Sequence, residues 1–284
     1  METEMSDLAT APSRTREFLD RLPLDNQNGR RIRRLSDGSV AGDWFGCALT
    51  SVFQPILDSA SGHTLGYEAF LRILGGGRRE LSPWVLFSAN ADDNRLIALD
   101  RLARTLHTLN FLTSVDDGSA LLFLNVHGRL LAAVEHDHGA AFRRVLDALG
   151  VAPARIVIEA PLATSSERDL LSFTVRNYRR QGFRTAVNLE SAVQWRELSH
   201  TTPAHYVKID ASRFIADSGQ DTLAHWDASG SAARLVLTRA EQRLRIDDKQ
   251  ESIPLVQGYA YGAPEPRASS ASAARLAAIA RISR

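Results

Sequence analysis

From about residue 48 onward the chain alternates between two patterns. Apolar runs rich in β-branched and aromatic residues occur at 51–57 (SVFQPIL), 65–74 (LGYEAFLRIL), 121–126 (LLFLNV) and 155–160 (RIVIEA). They continue at 184–189 (RTAVNL), 206–210 (YVKID), 234–238 (RLVLT) and 255–261 (LVQGYAY). Most are separated by stretches of helical periodicity, such as 83–109, 140–150 and 166–182. The first two are joined only by DSASGHT (58–64), too short for a parallel crossover, so this pair is antiparallel. Eight strands with βα alternation in roughly 240 residues predict an α/β fold, a TIM-like (βα)8 barrel with an irregular first strand. A doubly wound open sheet is the alternative.

The remaining composition narrows the function classes. Basic and acidic residues number 34 and 33, so no overall field favours nucleic acid or a membrane surface. Cys47 is the single cysteine, which excludes an internal disulfide and suits a reducing compartment. No apolar run approaches the ~20 residues of a membrane span, and METEMSDLATAPS is unlike a signal peptide. These features predict a cytoplasmic protein. Residues 1–44 read as a polar segment or cap: they carry Gly29, Gly38, Gly42 and the cluster Arg30-Arg31-Ile32-Arg33-Arg34, with a short amphipathic helix over 13–23. Eight acids there balance seven arginines, so the cluster is read as solvated. Residues 45–284 are assigned to the barrel, including an amphipathic C-terminal helix within 268–284.

In such barrels the ligand site lies at the C-terminal ends of the strands. Six strands hold a polar residue where a buried strand should be apolar: Glu68, Asn125, Glu159, Asn188, Lys208 with Asp210, and Gln257. Their recurrence points to one mouth rather than to six independent core compromises. Other candidates are weaker. His136-Asp137-His138 lacks a third ligand nearby, Ser165 and Ser166 lack a nucleophile-elbow context, and GGGRR (75–79) lacks the lysine of a phosphate loop.

The same residues resemble the EAL domain, the phosphodiesterase module for the bacterial messenger cyclic di-GMP. Gly66-Tyr67-Glu68-Ala69-Phe70-Leu71-Arg72 is similar to its E-x-L-x-R signature, with Phe70 in place of the leucine. Gln54-Pro55-Ile56 resembles the opening QPI strand. Leu124-Asn125-Val126, Ile158-Glu159 and Val207-Lys208-Ile209-Asp210 resemble the later ligand strands. Val256-Gln257-Gly258-Tyr259 with Pro264 is similar to the QGY…P ending. The resemblance implies a barrel whose first strand runs antiparallel. It also implies two Mg²⁺ or Mn²⁺ ions that activate a water toward a phosphodiester. By position, Glu68, Asn125 and Glu159 would hold one metal, and Lys208 would contact the attacking water. Arg72 would grip a ligand phosphate, and Gln54, Asp210 and Gln257 would line the nucleotide pocket.

The resemblance then breaks where the second metal would bind. The family reads D-D-F-G-x-G after strand five; this chain reads Asn188-Leu189-Glu190-Ser191-Ala192-Val193. Counted back from Gln257, the family's A-E-G-V-E falls on Val236-Leu237-Thr238-Arg239-Ala240, while a one-residue gap would place Glu241 at the second glutamate. Two divalent ions ~4 Å apart repel by roughly 17 kcal/mol at an effective dielectric of ~20. Only Glu68 and Glu159 clearly remain to offset that. The expectation is a catalytically inactive member with no resident cofactor and at most weak binding of one Mg²⁺ or Mn²⁺ by Glu68, Asn125 and Glu159. Cyclic di-GMP and an unidentified regulatory protein are the partners this implies, with a homodimer as a further option.

Overall fold

The structure, a computed structural model, describes residues 11–21, 32–74, 93–114, 118–129, 139–162, 168–216, 223, 226, 230, 232–244, 246 and 253–268. Its organising element is a long antiparallel hairpin, β3 (Cys47–Asp58) and β4 (Thr64–Leu74), paired from Ala48↔Leu74 to Leu57↔Thr64. From β4 the strands run parallel: β5 (Leu121–Asn125), β6 (Ile156–Ala160), β7 (Arg184–Leu189), β8 (Tyr206–Asp210), β9 (Arg234–Thr238) and β10 (Leu255–Val256). β10 then pairs antiparallel with β3, which closes eight strands into a barrel with one reversed member. The short 58–64 link imposes that reversal, because a parallel return needs a crossover.

Period-two alternation divides the strand side chains between two compartments. Ile56, Leu121, Phe123, Val157, Ala186, Tyr206, Val236 and Leu255 fill the barrel interior. Gly66 is required there: a Cβ on it would lie 2.3 Å from the Leu121 carbonyl oxygen. The opposite face packs against the helical layer, which includes α2 (Asp93–Ser114), α3 (Ala140–Leu149), α4 (Arg168–Arg180) and α5 (Ala192–Leu198). Glycine at 150 supplies the left-handed C-cap of α3, with φ 69°. Among the described residues no helix is long and apolar enough to cross a membrane.

Each of the eight sequence runs coincides with a barrel strand, and two ends move by more than one residue. β3 begins earlier, at Cys47, and β10 stops at Val256 because the chain turns away through Gly258. The segment read as a polar tail or cap also contributes regular structure. Helix α1 (Ala11–Asp20) packs through Leu19 and donates from Thr15 Oγ1 to the Leu149 carbonyl. Strands β1 (Ile32–Arg34) and β2 (Val40–Trp44) extend the sheet outward from β3. Arg30, Arg31, the GGGRR stretch, His136 to His138, Ser165, Ser166 and residues 269–284 lie outside the described residues.

β2 is fixed to α2 by a buried polar knot. Asn110 Oδ1 accepts from the Val40 amide at 2.7 Å, and its Nδ2 donates to the Val40 carbonyl and to Ser51 Oγ. Ser51 Oγ also lies 2.8 Å from His107 Nδ1. Burial lowers the His107 pKa to about 3, so the ring is neutral in the folded state. The unfolded chain protonates this histidine below its ordinary 6.5; stability is therefore lost as pH falls from 6.5 toward 3. The loss from this group reaches on the order of 4 kcal/mol. We expect a His107→Asn variant to show a flatter stability curve across that window in urea titrations; parallel curves would remove His107 as the cause.

Candidate functional site

The polar residues singled out in the strands converge at the C-terminal mouth of the barrel, where their strands end side by side. Glu68 pairs across the sheet with Gln54, Asn125 with Glu159, and Asn188 with Lys208. The centre is the Lys208 ammonium. Its Nζ donates to Glu68 Oε2 at 2.6 Å and to Glu159 Oε2 at 2.7 Å, and lies 6.0 Å from the Phe123 ring centre. Asn125 Nδ2 donates to Glu68 Oε1 at 2.7 Å, and Gln257 Nε2 donates to Glu68 Oε2 at 2.7 Å. Asn188 Nδ2 donates to Glu159 Oε1 at 2.9 Å and to the Ala160 carbonyl. Every carboxylate oxygen of both glutamates therefore has a donor.

Lys208, Glu68 and Glu159 are at most 5% exposed, so their charges act on one another with little screening. Burial alone would raise the Glu68 carboxyl, but the Lys208 charge with the Lys208, Asn125 and Gln257 hydrogen bonds holds it below the ordinary range. Burial and the neighbouring Glu68 charge raise Glu159 despite Lys208. Burial works against the Lys208 ammonium, yet the two glutamates raise its pKa. The two carboxyls are thus shifted in opposite directions, Glu68 down and Glu159 up, around one favoured ammonium.

Arg72 sits four residues beyond Glu68, higher on the same face of β4, beside Thr50 of β3. Its Nη1 donates to the Leu71 carbonyl, so Glu68 and Arg72 are not partners. Gln54 Nε2 donates to the Gly262 carbonyl, and Gln257 Nε2 lies 3.3 Å from Gln54 Oε1. Gln257 is 2% exposed, and its Oε1 has no hydrogen-bond partner among the described residues. The amide orientation is set by Glu68, which accepts only from the nitrogen, so the orphan atom is an acceptor.

Asp210 ends β8 at the rim. Its Oδ1 accepts from the Ser212 amide at 2.8 Å, and its Oδ2 lies 3.3 Å from Arg239 Nη1. Partial burial works to raise its pKa, but the Ser212 bonds and Arg239 outweigh it and lower it. Leu189, which follows Asn188, packs in the helix-side core with Val187 and Trp195, away from the mouth.

The end of β9 favours one of the two placements of the family motif. Leu235 and Leu237 pack on the helix side and Val236 in the interior, so Thr238 is the residue on the mouth side. Arg239 has φ 55°, a left-handed conformation that suits glycine. A-E-G-V-E therefore sits best on Leu237-Thr238-Arg239-Ala240-Glu241, with threonine for the first glutamate, arginine for glycine, and the second glutamate kept as the exposed Glu241. This is the one-residue gap that places Glu241 at the second glutamate, and strand parity is the signal that favours it.

A closed barrel with one reversed strand and helices packed outside it is a TIM-like α/β fold. Residues 46–226 match the family described as the EAL domain, more than half of the chain, and the chain belongs to that family. Among solved structures, it is similar to the Bacillus subtilis YkuI protein with an EAL domain, solved with substrate c-di-GMP and calcium. The identity is 21% and the TM-score 0.64, over 82% of this chain and 60% of that one. Klebsiella pneumoniae BlrP1, solved with manganese and the same dinucleotide, is 20% identical with a TM-score of 0.59, over 77% of this chain and 56% of that one. A standalone EAL protein from Vibrio cholerae, bound to c-di-GMP, is 18% identical with a TM-score of 0.55, over 78% and 94%. No match is found among the curated proteins.

Proposed function

We propose that this chain is a catalytically inactive EAL-family regulator that binds cyclic di-GMP without hydrolysing it and acts through a protein partner. The observation that carries the reading is the loss of carboxylates at the second metal position, where Asn188, Leu189 and Thr238 stand. The Lys208 ammonium lies between Glu68 and Glu159, and the Asn125 and Asn188 amides donate to the two glutamates. Among the described residues no three His, Cys, Asp or Glu side chains gather as a metal-binding group. Holding a metal would be the task of Glu68, Asn125 and Glu159, with both glutamates first releasing Lys208; a bound ion would supply Lewis-acid activation of water.

Ligand binding is supported by what the rim retains. Arg72 has one backbone contact, which leaves most of its guanidinium fork for a phosphate. The orphan Gln257 Oε1 suits an N–H donor of a guanine base. The competing reading, a vestigial pocket in an anti-activator that works by protein contacts alone, draws on Gln54 and Gln257 bonding within the protein. Titration of the purified protein separates the two. We expect metal-independent binding of cyclic di-GMP in the micromolar range, about −8 kcal/mol, weakened at least tenfold in Arg72→Ala. Linear dinucleotide should stay at background with Mg²⁺ or Mn²⁺. No heat and no thermal shift at millimolar ligand would leave the protein-interaction reading, and product formation lost in Glu68→Ala would restore the enzyme.

A further inference from the structure

Two non-glycine residues among those described hold positive φ. Phe45, at 45°, precedes Gly46 at 80° in the two-residue turn joining β2 to β3, a position that demands this conformation. Arg239, at 55°, has no hairpin to explain it: it lies in the link that leaves the mouth end of parallel strand β9. Glycine would adopt this backbone without steric cost, whereas arginine is strained. Strain of this kind persists only where the surrounding structure holds it, and it clusters at ligand sites.

The location of the guanidinium indicates that use. Lys208 points into the barrel centre, so Asp210, two residues on, faces the same way at the rim. Arg239 Nη1 reaches Asp210 Oδ2 at 3.3 Å, which places the cation beside the mouth, and the Arg239 side chain is 82% exposed. Exposed ion pairs of this length are weak and exchange readily for a better partner. The central lysine is consumed by two buried glutamates, so a ligand bearing two phosphates has to find its cations at the rim. Arg72 stands on β4 and Arg239 at the end of β9, strands that are not neighbours in the barrel.

We infer that Arg239 is a second phosphate-binding arginine, released from Asp210 by a diphosphorylated cyclic dinucleotide that Arg72 holds from the other strand. The inference rests on the receptor reading above and adds to it a residue and a mode of exchange. An arginine fork accepts two phosphate oxygens at once, and Asp210, once freed, offers a carboxylate to base N–H groups.

The test compares the full-length chain with Arg239→Gly and Arg239→Lys, using cyclic di-GMP as the probe in calorimetry and thermal unfolding. Arg239→Gly is expected to weaken binding at least tenfold while Tm stays the same or rises, because glycine relieves the backbone. Arg239→Lys should fall between, keeping charge without the fork. The salt dependence of affinity should be shallower in Arg239→Gly than in the unmutated chain. Binding that Arg239→Gly leaves unchanged overturns this inference alone, as does a fall in Tm that tracks the loss of affinity. No binding to the unmutated chain overturns the receptor reading and this inference with it.

Discussion

Lys208→Met is expected to lower the unfolding free energy by about 3–5 kcal/mol at pH 7, because removing one partner leaves buried charge uncompensated. Methionine fills similar volume, so the loss is electrostatic rather than a cavity effect. The dependence on pH supplies the sign. With the ammonium gone, burial raises both carboxyls above the ordinary glutamate range, so the folded state binds protons more readily than the unfolded chain. Stability of the variant therefore rises as pH is lowered from 7 toward 5. Adding Glu68→Gln and Glu159→Gln to Lys208→Met should recover most of the loss at pH 7, since no buried charge remains. Urea titrations at pH 5 and 7 check both statements. A loss below about 1 kcal/mol, or one independent of pH, would mean that the cluster is open to water and screened.

Gly258→Ala should cost about 3 kcal/mol or more, combining a disfavoured backbone conformation with overpacking. The residue has φ 154°, and a Cβ there would stand 2.3 Å from both the amide nitrogen and the carbonyl oxygen of Ala240. Those same groups are bonded: the Ala240 amide donates to the Gln257 carbonyl, and the Ala240 carbonyl accepts from the Ala260 amide. Backbone relief would therefore break contacts that hold Gln257 over Glu68. A lowered urea midpoint with unchanged slope is the expected result, and a change below about 1 kcal/mol would show that the loop yields without loss.

The eight barrel strands were legible because each combines β-rich apolar character with turn residues at its ends, and because the 58–64 link leaves no room for a crossover. β1 and β2 were not. Arg33 and Arg34 make β1 look solvated, and Gly42 with Asp43 interrupts the β2 pattern, yet Val40, Ala41 and Trp44 are buried. Only tertiary contacts, above all the Asn110 clasp on Val40, reveal that β2 belongs to the core. At the mouth, sequence identified Glu68, Asn125, Glu159, Asn188, Lys208 and Gln257 because charge and amide groups are conspicuous in otherwise apolar strands. It could not assign their pairing. The resemblance put Lys208 against a water and Arg72 on a ligand phosphate; only the geometry bonds Lys208 to both glutamates. Nor does local sequence mark Arg239 as unusual, since its backbone conformation depends on where β9 ends.

The Lys208 bridge changes what kind of quantity governs the centre of the barrel. A divalent ion held by two glutamates is an occupancy: it follows mass action, falls with dilution or chelation, and varies with the ionic state of the surroundings. A cation carried on the chain has no dissociation constant. Its local concentration is set by four methylenes and one strand, and it folds with the protein. Wherever Lys208 keeps both glutamates, the positive charge at the centre of the barrel comes with the sequence rather than from solution.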